Sequence, residues 1–238
     1  MNTGEPPRNC PLCPRLVQFR AANAKAYPDF FNAPVPSFGS NDARLLIVGL
    51  APGLKGANRT GRPFTGDWAG DLLFATLLKH GLAHGTYGER ADDGLTLVEC
   101  AITNAVRCVP PENKPTPAEI KICRKFLVAQ ISAMAHLRAI LALGKIAHDS
   151  VCDAMEAKKS AHPFKHGSSY SIPFTMGGLE PPIQPLDGRV KPGHGEARKL
   201  ALVSSYHCSR YNTNTGVLTE AMFDEVVKRA KLIAMPQM

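Results

Sequence analysis

The chain has 238 residues, 44% of them hydrophobic and 20% charged, a balance that excludes an intrinsically disordered protein. The opening MNTGEPPRNC lacks the apolar core of a secretory signal. No apolar run approaches the roughly 20 residues that cross a bilayer, so one soluble, cytoplasmic, monomeric domain is expected. A formal net charge of +8 favours a polyanionic partner, because Lys and Arg gain by displacing counterions from phosphates. Ribosomal contacts, lipid headgroups or a merely basic surface would give the same count.

In chain order, CPLCPRL first supplies a C-x2-C pair, Cys10 and Cys13. The run Arg44–Leu50 is apolar and continuous, as a strand covered on both faces would be. A Gly- and Asn-rich stretch, Gly53–Asp67, leads into a helical pattern over Asp67–His80, with Leu72, Leu73, Thr76 and Leu77 on one side. A second strand is predicted at Cys100–Val106. The following helix, Thr116–Ala135, opens on Thr-Pro-Ala-Glu, a capping box with proline at the first helical position. Strands at Leu137–Gly144 and Leu200–His207 and a helix at Thr219–Ile233, capped by Thr219, complete the pattern. Between them, Lys158–Lys199 is rich in Gly, Pro and His and shows no period, so it reads as a long loop, either functional or partly mobile. Alternating strands and helices predict an α/β fold with a doubly wound, mostly parallel sheet.

Ligands of such sheets bind beyond the carboxyl ends of the strands. Gly49–Gly53 follows the first strand, Asn104 lies near the end of the second, and His207 closes the fourth. These residues are therefore expected to meet. GLKGANRTG lacks the Gly-Lys-Ser/Thr ending of a phosphate-binding P-loop.

Seven cysteines is an odd number, which argues against a disulfide framework in a reducing compartment. Cys100 and Cys152 fall in strand and helix patterns and are expected to pack as small hydrophobes. Cys208 stands beside the expected site. Cys10 and Cys13 together with the C-x14-C pair Cys108 and Cys123 could bind zinc or a [4Fe–4S] cluster, and spacing alone leaves both open.

CPLCPRL, GLAPGLKGANRTGRPFTGDWAGD, ITNAVRCVPPENKPTPAE and HCSRYNTNTG, in this order, resemble the family 5 uracil-DNA glycosylases over about Cys10 to Ala230. The resemblance implies a three-layer α/β/α fold on a central four-stranded, mostly parallel sheet. It also implies a structural [4Fe–4S] cluster on Cys10, Cys13, Cys108 and Cys123, and DNA carrying uracil or other deaminated bases as partner. Gly49, Ala51, Pro52 and Gly53 would bring the backbone up to the base, with N–H donors from the residues other than proline. Phe64 would stack on it, Asn104 would read its pyrimidine edge, and His207 would stabilise the departing anion. Where many relatives carry a polar residue after the first motif's glycine, this chain has Leu50, and the family places Asp67 as the catalytic carboxylate instead. Leu50 implies a broader pocket that also admits hypoxanthine. HCSRYN stands where HPSP or HVSRQN is usual, which leaves the parts played by Cys208 and Tyr211 open. Asn58, Arg59, Arg107, Arg210 and Asn212, in or beside the motifs, are expected to contact DNA, with His162, His166 and His194 as weaker phosphate candidates. Each assignment has a plainer counterpart: Asp67 as a helix N-cap, Asn104 as a partner of backbone groups at a strand end, Phe64 as core. A non-catalytic nucleic-acid-binding protein with a structural metal site is the alternative function.

Overall fold

The computed structural model describes residues 4–175 and 198–236. The chain runs α1 (Pro14–Ala26), β1 (Phe38–Gly39), β2 (Leu45–Gly49), α2 (Ala57–Thr60), α3 (Trp68–Lys79), β3 (Ala83–His84), β4 (Thr96–Leu97) and β5 (Cys100–Asn104). It continues with α4 (Pro117–Ala133), β6 (Ala139–Leu143), α5 (Lys145–Ala154), β7 (Ser169–Phe174), β8 (Arg198–Ser205), α6 (Arg210–Asn214) and α7 (Glu220–Ala234). The four apolar runs became β2, β5, β6 and β8, which pair in parallel in the order β5-β2-β6-β8.

The sheet has six strands rather than the four expected, because an antiparallel strand is added at each edge. β1 pairs with β5 over two residues, too few to leave a pattern. β7 lies within the stretch read as a loop and pairs with β8. Its SYSIPF buries only Ile172 and Phe174, and Pro173 sits where an edge strand tolerates a missing donor. Residues 176–197, including His194, lie outside the described residues.

Every residue of β2, β5 and β6 is buried, which is why these strands read as unbroken apolar runs. Alternate side chains face opposite layers. Leu45 and Ile47 pack with Leu73, Phe74 and Leu77 of α3 and Phe223 and Val227 of α7. Leu46 and Val48 pack with Leu127 and Ile131 of α4 and Val151 of α5. Each such aliphatic side chain stabilises the fold by about 1.5–3 kcal/mol, and together they define three layers, α/β/α.

The caps sit where the sequence puts them. Thr116 and Glu119 form the reciprocal capping box of α4, and Thr219 Oγ1 accepts from Met222 N at 3.2 Å. Among the described residues no helix is long and apolar enough to cross a membrane.

Candidate active site

The register of the parallel strands assembles the site. Gly49 pairs with Asn104 across β2 and β5, Leu143 pairs with Ser205 across β6 and β8, and His207 follows two residues later. The carboxyl ends of these strands open on a cleft of about 540 Å³ lined by Ala51, Pro52, Gly53, Phe64, Asp67, Asn104, His207 and Arg210. Gly49 lies beneath it. A Cβ there would come within 2.5 Å of both Asn104 Oδ1 and the Phe64 ring, so glycine is what lets these two side chains approach each other. Leu50 lines the same cleft and offers it no polar atom.

Phe64 has φ 55°, in the left-handed region that costs a side-chain-bearing residue about 1–3 kcal/mol. The surroundings enforce it. Tyr87 Oη accepts from Gly66 N at 3.2 Å and donates to Phe64 O at 3.4 Å, clamping the turn. Gly70 has no room for a side chain because the Phe64 carbonyl occupies that space. Two residues before Phe64, Arg62 makes a bidentate pair with Asp93 at 2.8 and 2.6 Å and donates from Nε to Thr65 Oγ1 at 2.7 Å. Both partners are 5% exposed, and the guanidinium lies among the rings of Phe38, Phe74 and Tyr87. Asp93 also accepts from Gly88 N and Leu95 N, and its bond to Arg62 holds its carboxyl well below the usual range. The excursion between β3 and β4 thus braces the Phe64–Asp67 turn from behind. An Asp93→Ala substitution would leave Arg62 buried and unpaired, and is expected to cost about 3–5 kcal/mol in urea unfolding. A loss below about 1 kcal/mol would show that the brace carries little.

Asp67 is the N-cap of α3 and also faces the cleft. Oδ1 caps α3 by accepting from Gly70 N at 3.2 Å. Oδ2 faces Gly53 and Gly56, where a Cβ on Gly56 would collide with the carboxylate. Burial raises its pKa above the ordinary value, and the backbone donors at Gly70 and Ala69 offset that only in part. His207 is held down to about 4 by burial, so at neutral pH it is an uncharged imidazole. Its ring lies 6.0 Å from that of Phe64, inclined by 26°, and Asn212 Nδ2 donates to its carbonyl at 2.8 Å. Cys208 is buried and bonds to Ala69 O, which ties His207 to the start of α3.

The expected DNA contacts divide. Arg59 and Arg210 are exposed, with Arg210 lining the cleft. Arg107 is not available to a phosphate: it is 1% exposed and donates to Glu5 Oε2 at 2.9 Å. Asn58 is likewise buried, its Nδ2 donating to Asn32 Oδ1 at 3.0 Å, so its role is to hold the loop. Asn212 is engaged with the His207 backbone. His166 accepts from Tyr206 N and stacks on its ring, and His162 bonds to Lys158 O; both serve local structure. Residues that the sequence did not single out also enter the site. Lys55, Trp68 and Asn113 line the cleft, and Tyr87 and Asp93 support it. Adjacency to Asp67 could have flagged Trp68; nothing local marks Tyr87 or Asp93.

Away from the cleft, Cys10, Cys13, Cys108 and Cys123 line one pocket with Leu16, Val106 and Phe126. Arg20 Nη1 and Arg107 N donate to the sulfurs of Cys108 and Cys123, each at 3.4 Å. Burial pushes the Cys108 thiol up to about 12 and that of Cys123 up to about 11, a preference that a bound metal centre reverses. The fit to a metal centre lies in the donor set, four thiols lining one pocket. Among the described residues no three His, Cys, Asp or Glu side chains are disposed to hold a single metal ion. Four cysteine thiols lining one pocket are the donor set of either an iron–sulfur cluster or tetrahedral zinc. Cys100 and Cys152 are buried elsewhere in the core.

Residues 36–231 match the family model described as "Uracil DNA glycosylase superfamily". The chain is 40% identical over 230 residues to the "Type-5 uracil-DNA glycosylase" of Thermus thermophilus, covering 94% of each. It is 38% identical to the Type-5 protein of Mycobacterium tuberculosis, covering 94% of this chain and 78% of the relative. Similarity to the "Type-4 uracil-DNA glycosylase" of Thermotoga maritima, 39% identical, covers 56% of this chain and 62% of the relative.

Proposed function

Because the chain belongs to the uracil DNA glycosylase superfamily and aligns with type-5 members along almost its whole length, we propose that it hydrolyses the N-glycosidic bond of uracil in DNA. The observation that carries this is the convergence of Asn104, Phe64, Asp67 and a neutral His207 on one cleft at the carboxyl end of the sheet. A base inside a duplex is out of reach, so it must be extruded at a cost of a few kcal/mol. Stacking on Phe64 returns about 1–3 kcal/mol. The Asn104 amide offers a donor and an acceptor to uracil O4 and N3–H, and a site built on such bonds rejects analogues lacking them by around 10⁴-fold.

As the C1′–N1 bond breaks, its electron pair leaves with the base and the sugar becomes cation-like, by analogy with glycoside hydrolysis. The N–H groups of Ala51 and Gly53 and the imidazole of His207 would face the developing anion as an oxyanion hole does. Asp67, with one oxygen fixed by the helix cap, supports the cation and orients the water that adds to C1′. The product is an abasic site, the substrate of the later steps of base excision repair. Leu50 leaves part of the pocket without polar discrimination, and this supports excision of hypoxanthine as well.

Cys10, Cys13, Cys108 and Cys123 would hold a [4Fe–4S] cluster that ties the amino-terminal segment to the connection between β5 and α4 and to α4 itself. Iron and acid-labile sulfide in the purified protein, both lost in Cys108→Ser together with thermal stability, are expected. One zinc per chain without sulfide would rule the cluster out.

The activity is tested with an end-labelled oligonucleotide holding one uracil, treated with hot alkali after incubation. Cleavage at the uracil that disappears in Asn104→Ala supports the proposal, and a parallel inosine substrate tests the broader pocket. An inert protein on U·G, U·A and single-stranded uracil substrates would overturn uracil excision; inosine DNA cut no faster than normal purine DNA would overturn the extension.

A further inference from the structure

The chain has one tryptophan, and the fold puts it at the rim of the cleft instead of in the core. Trp68 opens α3 directly after Asp67 and leaves 48% of its surface exposed. Exposed side chains are ordinarily free to change rotamer, whereas this one is fixed at two points. Its Nε1 donates to Thr213 Oγ1 at 3.0 Å, and the guanidinium of Arg210 lies over the indole, 5.5 Å from the ring centre. Both contacts come from α6, the short helix that follows His207, so the rim is set by the same segment as the anion-binding wall.

A large flat ring that is both exposed and oriented is arranged to receive a ligand, since little ordering cost remains when one binds. The charges around it say which kind. On the cleft side stand Lys55 and Arg210. Trp68 also borders a second hollow whose lining includes Asp71 and Glu220, which repel phosphate. What meets the ring is therefore flat and uncharged, while a phosphate attached to it is drawn toward Arg210. An unpaired nucleobase has that chemistry.

We infer that Trp68 is a stacking platform for an unpaired base neighbouring the extruded nucleotide on the same strand, with Arg210 taking the adjoining phosphate; this rests on the glycosylase reading proposed above. The platform gives the protein a grip on single-stranded or locally opened DNA that is independent of the base being excised.

The single tryptophan makes the test direct. The intact protein is titrated with a single-stranded oligonucleotide carrying a stable abasic analogue, following the anisotropy of labelled DNA and, with unlabelled DNA, tryptophan emission. Emission is expected to be quenched along the same isotherm as the anisotropy rise. Trp68→Ala is expected to weaken binding by roughly five- to a hundredfold, the loss of one base–aromatic stack, and Trp68→Phe to recover most of it. Saturable binding with unchanged emission, or Trp68→Ala binding within about twofold of the parent, would overturn the platform while leaving glycosylase activity intact. Absence of any saturable binding, together with absence of base release, would overturn both.

Discussion

Turnover of uracil-containing DNA by a His207→Ala variant is expected to fall by roughly 10²–10³-fold, the usual effect of removing one preorganised donor to a developing anion. The KM is expected to change little, because the interaction strengthens only as charge moves onto the base. The burial that keeps His207 near 4 fixes its chemical form: the imidazole donates without carrying charge of its own. Single-turnover rates of the parent between about pH 5 and 8 are therefore expected to show no inflection at the ordinary histidine value of about 6.5. An inflection there that vanishes in His207→Ala would make the imidazolium the working species. The same shift enters stability. Because the folded value lies below the unfolded one, the contribution is intact above about 6.5 and is lost as pH falls toward about 4.

Asp67→Asn separates the two roles of that side chain. Asparagine caps a helix as well as aspartate does, so α3 keeps its start, but the negative charge proposed to face the sugar is gone. Turnover is expected to drop by roughly 10²–10⁴-fold. Burial raises the Asp67 pKa, so the acidic limb of the rate profile is expected above the ordinary carboxylate value, and to be absent from what activity the asparagine variant retains. For stability the sign is the reverse of that for His207. A raised carboxyl favours the fold at low pH and loses that contribution as the pH rises through its folded value. The variant should therefore melt at the same temperature as the parent or higher near neutrality. Unchanged turnover together with unchanged stability would reduce Asp67 to a cap, since asparagine can fill that role.

The parts of the fold legible in the sequence are those whose environment is uniform along the chain. β2, β5, β6 and β8 lie between two helical layers, so nearly every position is apolar and the run announces itself. The caps at Thr116 and Thr219 are local chemistry and were equally visible. α1 was not, because it buries only Leu16 and Asn23 and so carries no apolar stripe. β7 was hidden by its one-sided burial and by the loop-like composition around it. The site divides in the same way. Asn104 and His207 are placed by strand ends and could be read from them. Arg62 and Asp93, 31 residues apart, meet through tertiary packing that no local pattern records. Arg107 shows the converse: a basic residue inside a motif looks like a phosphate contact, yet its neighbours enclose it and Glu5 takes its charge.

The cleft places its cations and its reacting groups apart, and ionic strength should separate them too. Lys55 and Arg210 are exposed and line the cleft, while Asn104 and the uncharged His207, where the base is proposed to react, have no mobile ions to exchange. Added salt competes for the rim by restoring the counterion atmosphere that binding displaces, but the dipoles inside act over a few ångströms with solvent largely excluded. Raising salt should therefore lower the fraction of DNA captured while leaving the rate of base release from captured DNA nearly constant.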